Sequence, residues 1–177
     1  MKSTTTTLFR YFAGVTEFAF QSQLGIADPP LVDYVSGLLV RFVRIDALHK
    51  IRNLSGRPMT EVAEMIGEAN ERIGSARRQG HRHIGDFTLF WAGVYPEALR
   101  EMQNAAKKDH FIDYCSQGKR AYRIASSIDT DDAPDAPSDV LERLSREFEM
   151  CAYGLREARR EWERRDDEEV RMAWLID

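Results

Sequence analysis

The chain is poor in the residues that mark several protein classes. Two cysteines in 177 residues cannot make a disulfide framework, and they fit a reducing compartment. Six prolines and eleven glycines are too few for a collagen-like or low-complexity chain. Charge of one sign is not in excess: 25 Lys and Arg against 29 Asp and Glu leave a net charge of −4. A sequence pI near 5.6 argues against a dedicated nucleic-acid binder, though not against a local basic patch. Long apolar runs are missing as well. The opening MKSTTTTLFRYFAGVTEFAF is interrupted by Arg10 and Glu17, and no small-residue cleavage site follows, so no export signal is expected. No window reaches the roughly 18 apolar residues of a spanning helix. A soluble, cytoplasmic protein without membrane partners is the expectation.

What is present is helical periodicity on a chain that is 43% hydrophobic, enough to bury about 70% of its unfolded surface in one domain, 1–177. Leu8, Phe12, Val15, Ala19 and Ser22 recur at steps of three and four, with Tyr11 and Phe18 widening the face. Ser3 and the threonines after it would cap this helix, and Gly25 would end it. Asp28-Pro29-Pro30 reads as the next helix start, followed by the stripe Leu31, Val35, Leu38, Phe42, Ile45 and His49. A turn is expected at 53–58, a third helix at about 60–73, and a basic connector at 74–80. A helix at about 81–94, a short one from Pro96, and another at about 109–128 follow. The acidic, proline-containing segment 129–138 reads as a solvated loop. Ser138 would cap a long last helix over about 139–165. Its stripe Leu141, Leu144, Phe148, Cys151, Leu155, Ala158 and Trp162 is a strict heptad seam. The Asp/Glu-rich stretch from 166 to 177 reads as a mobile tail. The fold class is therefore all-α: an irregular orthogonal or antiparallel bundle of six to seven helices around the central apolar helix 81–94.

That central helix carries the one anomaly. Between Ile84 and Val94 only Asp86 and Thr88 are polar, and a helix apolar all round is a buried helix. Gly85, Ala92 and Gly93 form a small arc where a neighbour can approach closely. A lone buried carboxylate costs several kcal/mol unless it is paired or protonated. Asp86 therefore needs a partner: His83 at i−3, an arginine such as Arg41, Arg44 or Arg123, or a tyrosine hydroxyl.

Chemistry-bearing motifs are scarce. There is no G-x-S-x-G elbow, no glycine-rich phosphate loop, no H-E-x-x-H, no C-x-x-C and no Glu-x-x-His. No catalytic residue and no cofactor is therefore assigned. A metal ion would have to draw on the inward-facing His49, His83, Asp86, Cys115 and Cys151, with His83 and Asp86 at the i, i+3 spacing of bundle sites. Cysteine on a core stripe is more often an inert buried thiol. A phosphate-type anion would find Arg77, Arg78, His81, Arg82 and His83 at a helix N-terminus beside Gly80, with Lys107, Lys108, Lys119 and Arg120 extending the patch. The same residues also read as a solvated basic loop. Gly118 marks either a tight helix crossing or room for a ligand, and Tyr122 lies on the same face. The leading functional expectation is a non-enzymatic helical module acting through a protein partner or a second copy, motivated by the heptad seam. The alternative is a bundle that binds a small molecule, anion or metal around His83 and Asp86.

Overall fold

A computed structural model describes residues 2–43, 61–105, 113–130 and 136–174. Eight helices occupy them, and no strand occurs among them. They are α1 (Lys2–Leu24), α2 (Pro29–Val43), α3 (Val62–Glu71), α4 (Gly74–Val94), α5 (Pro96–Ala105), α6 (Tyr114–Ser126), α7 (Ser138–Arg146) and α8 (Phe148–Trp174). None of the described helices is long and apolar enough to cross a membrane. The expected turn at 53–58, His49, Arg44, Lys107 and Lys108 lie outside the described residues.

Local chemistry sets several of the boundaries. Gly25 adopts φ 67°, which a side chain would resist, and Ile26 N–H folds back to the Phe20 carbonyl at 3.0 Å, closing α1. Asp28 caps α2 as expected, its carboxylate accepting from Leu31 N–H at 3.3 Å. Asp113 caps α6 by accepting from the backbone N–H groups of Cys115 and Ser116. At the other end of α4, Arg159 from α8 donates to the orphan Val94 carbonyl at 2.8 Å and lies 4.6 Å from the Tyr95 ring centroid.

α4 is the hub, touching α2, α3, α5, α6 and α8. Every residue from Ile84 to Val94 is buried except the half-buried Trp91. The small arc does what its size allows: a Cβ at Gly85 would lie 2.6 Å from the Tyr122 ring, and one at Gly93 2.8 Å from Leu155. The heptad seam is buried along Leu141, Leu144, Phe148, Cys151, Leu155 and Ala158, inside the chain's own core. It packs within the bundle rather than waiting for a second copy. In α1, Phe20 takes the core position and Phe18 is 44% exposed, so Phe18 does not widen the buried face.

Four boundaries differ from the sequence reading. The stretch 74–80 is no connector: α4 starts at Gly74, because Gln79 and the two arginines are good helix formers and Gly80 is a packing glycine, its Cβ position 3.0 Å from Ala69 of α3. The last helix breaks at Glu147, so there are two helices where one is expected. The break falls where Arg143 turns to pair with Glu147 at 3.2 Å and with Asp28, while Phe148 inserts against Gly118. α8 then continues through Trp174 rather than ending near 165, supported by Arg–Glu pairs such as Arg165–Glu161 at 2.7 Å. Finally, Ser138 is the first residue of α7 and not its cap, and Ala136 in the acidic segment is fully buried.

Candidate functional site

The wheel position of Asp86 points it between α2 and α6, and both helices answer with hydrogen-bond donors. Asp86 is 4% exposed. Tyr34 of α2 donates to its Oδ1 at 2.6 Å and Tyr122 of α6 to the same oxygen at 2.8 Å. Arg41, two turns after Tyr34, donates to Oδ2 at 3.0 Å. Arg82, one turn before Asp86, donates through Nε to the Tyr34 hydroxyl at 3.1 Å and lies 3.8 Å from Oδ2. Both guanidiniums also sit over the Tyr34 ring, at 5.4 and 5.5 Å from its centroid. Gly85 makes the arrangement possible, because a side chain there would collide with the Tyr122 ring.

Electrostatics fix the direction of these bonds. Burial, reinforced by the Asp86 charge, pushes both phenols well above the ordinary tyrosine range. Tyr34 and Tyr122 therefore stay protonated and act as donors. The carboxylate has both oxygens engaged, and two cationic guanidiniums against one acid leave the cluster net positive. Such a cluster disfavours a metal ion, and three donors already occupy the carboxylate oxygens. An open groove lined by Pro30, Asp33, Tyr34, Gly37, Arg41 and Val140 reaches Arg41 and Tyr34 from outside but is not lined by Asp86.

The other predicted residues are not brought to this point as expected. His83 does not pair with Asp86: it stacks on Phe42 with centroids 6.1 Å apart, and burial lowers its pKa while Asp86 opposes that shift. Cys151 sits in the core seam with its thiol pushed up to about 12 by burial, and Cys115 is half-buried with its pKa raised by the same cause. Among the described residues no group of three or more His, Cys, Asp or Glu gathers to hold a metal. The metal constellation of His83, Asp86, Cys115 and Cys151 is thus not formed by the described residues. The anion site at a helix N-terminus beside Gly80 also fails, because residues 80–83 lie two turns inside α4 and their N–H groups point up the helix. Arg78 is buried and engaged, donating to the Ala136 carbonyl at 2.7 Å and to Ser138 Oγ at 3.3 Å, which ties the start of α7 to α4. Gly118 resolves to a tight crossing: its Cβ would lie 2.4 Å from both Phe148 and Thr88.

Tyr34 was not singled out from the sequence. Its place three residues after Leu31 and four before Leu38, beside the predicted stripe, is the available signal, since a buried phenol needs a partner. Comparison with models of protein families, with curated proteins and with solved structures gives no match.

Proposed function

We propose that this chain is a non-enzymatic, cytoplasmic helical module that works by contact with a second copy of itself. The observation that carries the proposal is the outer face of α8. Tyr153, Arg160 and Arg164 fall on one line along that helix, opposite the buried seam, with Tyr153 47% exposed and the two arginine side chains 67% and 53% exposed. Tyrosine and arginine are the types enriched at the centres of protein interfaces. Two copies of α8 laid antiparallel, about an axis near Arg156 and Glu157, set Tyr153 against Arg160 of the second copy and Glu149 against its Arg164. That pairing is self-complementary, as a twofold interface requires. The pairs Arg160–Glu157, Arg164–Glu161, Arg164–Glu168 and Lys119–Glu149 compete with it, but ion pairs with a solvent-exposed partner contribute only about 0.2–1 kcal/mol each. The engaged Asp86 and the raised thiol pKa values favour binding over chemistry, and the two free cysteines fit a reducing compartment.

Sedimentation velocity over a micromolar concentration series tests the proposal. The expected result is a monomer–dimer equilibrium that Tyr153→Glu and Arg160→Glu shift to monomer without changing the thermal melt. A strict monomer at every concentration, or a dimer indifferent to both substitutions, refutes it. Phe148→Glu and Leu155→Glu, by contrast, should unfold the chain, because both side chains are fully buried.

A further inference from the structure

A second polar cluster lies away from Asp86, in a cavity of about 110 Å³ between α3, α4 and α6. Ile66 and Ile124 form its apolar walls, and Asn70, His81, Gln117 and Arg120 supply its polar ones. His81 is 2% exposed, and its Nε2 is buried with no hydrogen-bond partner among the described residues. A buried ring nitrogen left without a partner costs about 1–3 kcal/mol, so its retention at a cavity wall calls for something to bond it. The charges around it are of one sign. Arg77, one turn before His81, and Arg120 both press on the imidazole, and no acid is among the charges acting on it. Neither arginine makes an ion pair among the described residues, unlike Arg82, Arg143 and Arg159 elsewhere in the bundle.

We propose that this cavity binds a small tetrahedral oxyanion of the phosphate or sulfate type, held by Arg120 and His81 and oriented by the amides of Asn70 and Gln117. The fit rests on three features: uncompensated positive charge, an unpartnered ring nitrogen, and side-chain amides able to donate to oxygen. The volume is ample for one tetrahedral oxyanion, and the exposed Asn70 and Arg120 stand at its solvent-facing rim. This site needs no helix N-terminus: His81 reaches the cavity from the side of α4, and Arg120 from the middle of α6. It shares no residue with the α8 contact.

Isothermal titration of the full chain with inorganic phosphate, and separately with sulfate, in low-salt buffer at neutral pH tests the proposal. One saturable site per chain is expected, with a matching rise in melting temperature. Arg120 is exposed, so Arg120→Gln should fold normally, and it should weaken binding about tenfold or more through loss of one charge-assisted bond. His81→Gln should weaken it as well, with circular dichroism checking that this buried substitution still folds. In histidine NMR spectra the His81 ring resonance should move with added phosphate while that of His83 stays in place. No saturable heat with either anion overturns the proposal, and so does binding that is unchanged in Arg120→Gln. Binding of nucleoside triphosphates without binding of phosphate or sulfate also overturns it, because contacts to base or sugar, and not to the oxyanion, would then carry the affinity.

Discussion

Replacing Asp86 by alanine should remove about 3–5 kcal/mol of stability. The sum can be worked from the four groups that meet it. The Tyr122 hydroxyl is fully buried and would lose its acceptor, costing about 1–3 kcal/mol. The Tyr34 hydroxyl keeps Arg82 as a donor but loses its own acceptor, costing about 1 kcal/mol. Arg41 has a side chain 39% exposed and can turn into water, so its loss is screened to a few tenths of a kcal/mol. Arg82 is less free to turn, with 17% exposure, and would be left near Arg41 with no carboxylate between them. A domain of this kind is stable by about 5–15 kcal/mol in all, so the change is a large fraction of the total. Urea unfolding followed by circular dichroism measures it, with an unchanged slope showing that only stability has moved. Tyr122→Phe alone should cost about 1 kcal/mol. In the double substitution the two losses should fall short of additive by about 1 kcal/mol, because removing the phenol also removes the orphan created by Asp86→Ala. A loss below about 1 kcal/mol for Asp86→Ala, or a strictly additive double variant, would refute the account of Asp86 as a buried, shared acceptor.

Three further outcomes are expected. Gly118→Ala should lose about 1–2 kcal/mol by forcing Phe148 and Thr88 apart, whereas Gly14→Ala, with nothing within 4 Å of its Cβ, should gain up to about 1 kcal/mol from helix propensity; denaturation midpoints compare them directly. Cys151, with its thiol pushed up to about 12, should react with a disulfide reagent far more slowly than in urea, and its raised pKa adds stability that is complete below about 9 and is lost as pH rises toward 12, so Cys151→Ala should flatten the alkaline limb of a stability–pH curve. His81 and His83 both have lowered pKa values, so their contribution is present above the ordinary histidine range and is lost as pH falls through their depressed values; stability should decline below about pH 6.5, and less so in His83→Gln.

Much of the architecture was legible because apolar spacing and caps agree. The stripes of α2 and α4, the Asp28 start and the seam from Leu141 to Ala158 all follow from side-chain periodicity, which burial in a bundle obeys. The misplaced acid in α4 pointed to a buried partner, and Arg41 and a tyrosine were among the candidates. The misses share a cause. Gly80 reads as a stop in sequence, yet its lack of a side chain serves the α3–α4 contact, and a single chain of letters cannot separate the two uses. Phe18 and Phe20 lie on either edge of the α1 stripe, and only the direction from which α8 arrives decides which is buried. The cavity at His81 joins Asn70, Gln117 and Arg120 from helices far apart in the chain, so no local spacing announces it.

The pairing of α1 with α8 has a consequence for how the chain reaches this state. Tyr11 donates to Asp166 at 3.4 Å across 155 positions of sequence, Phe12 packs edge-on to Trp162 with centroids 5.4 Å apart, and Phe20 fills the space over Gly154. Helical bundles fold fast when neighbours in sequence are neighbours in space, and here α1 packs as extensively on the distant α8 as on its sequence neighbour α2. During synthesis the face of α1 that meets α8 must wait, solvated or shielded by another molecule, until the 155 positions that separate Tyr11 from Asp166 have been made. Shortening α8 from its far end should therefore affect not only stability but also yield, by leaving that waiting surface without its cover.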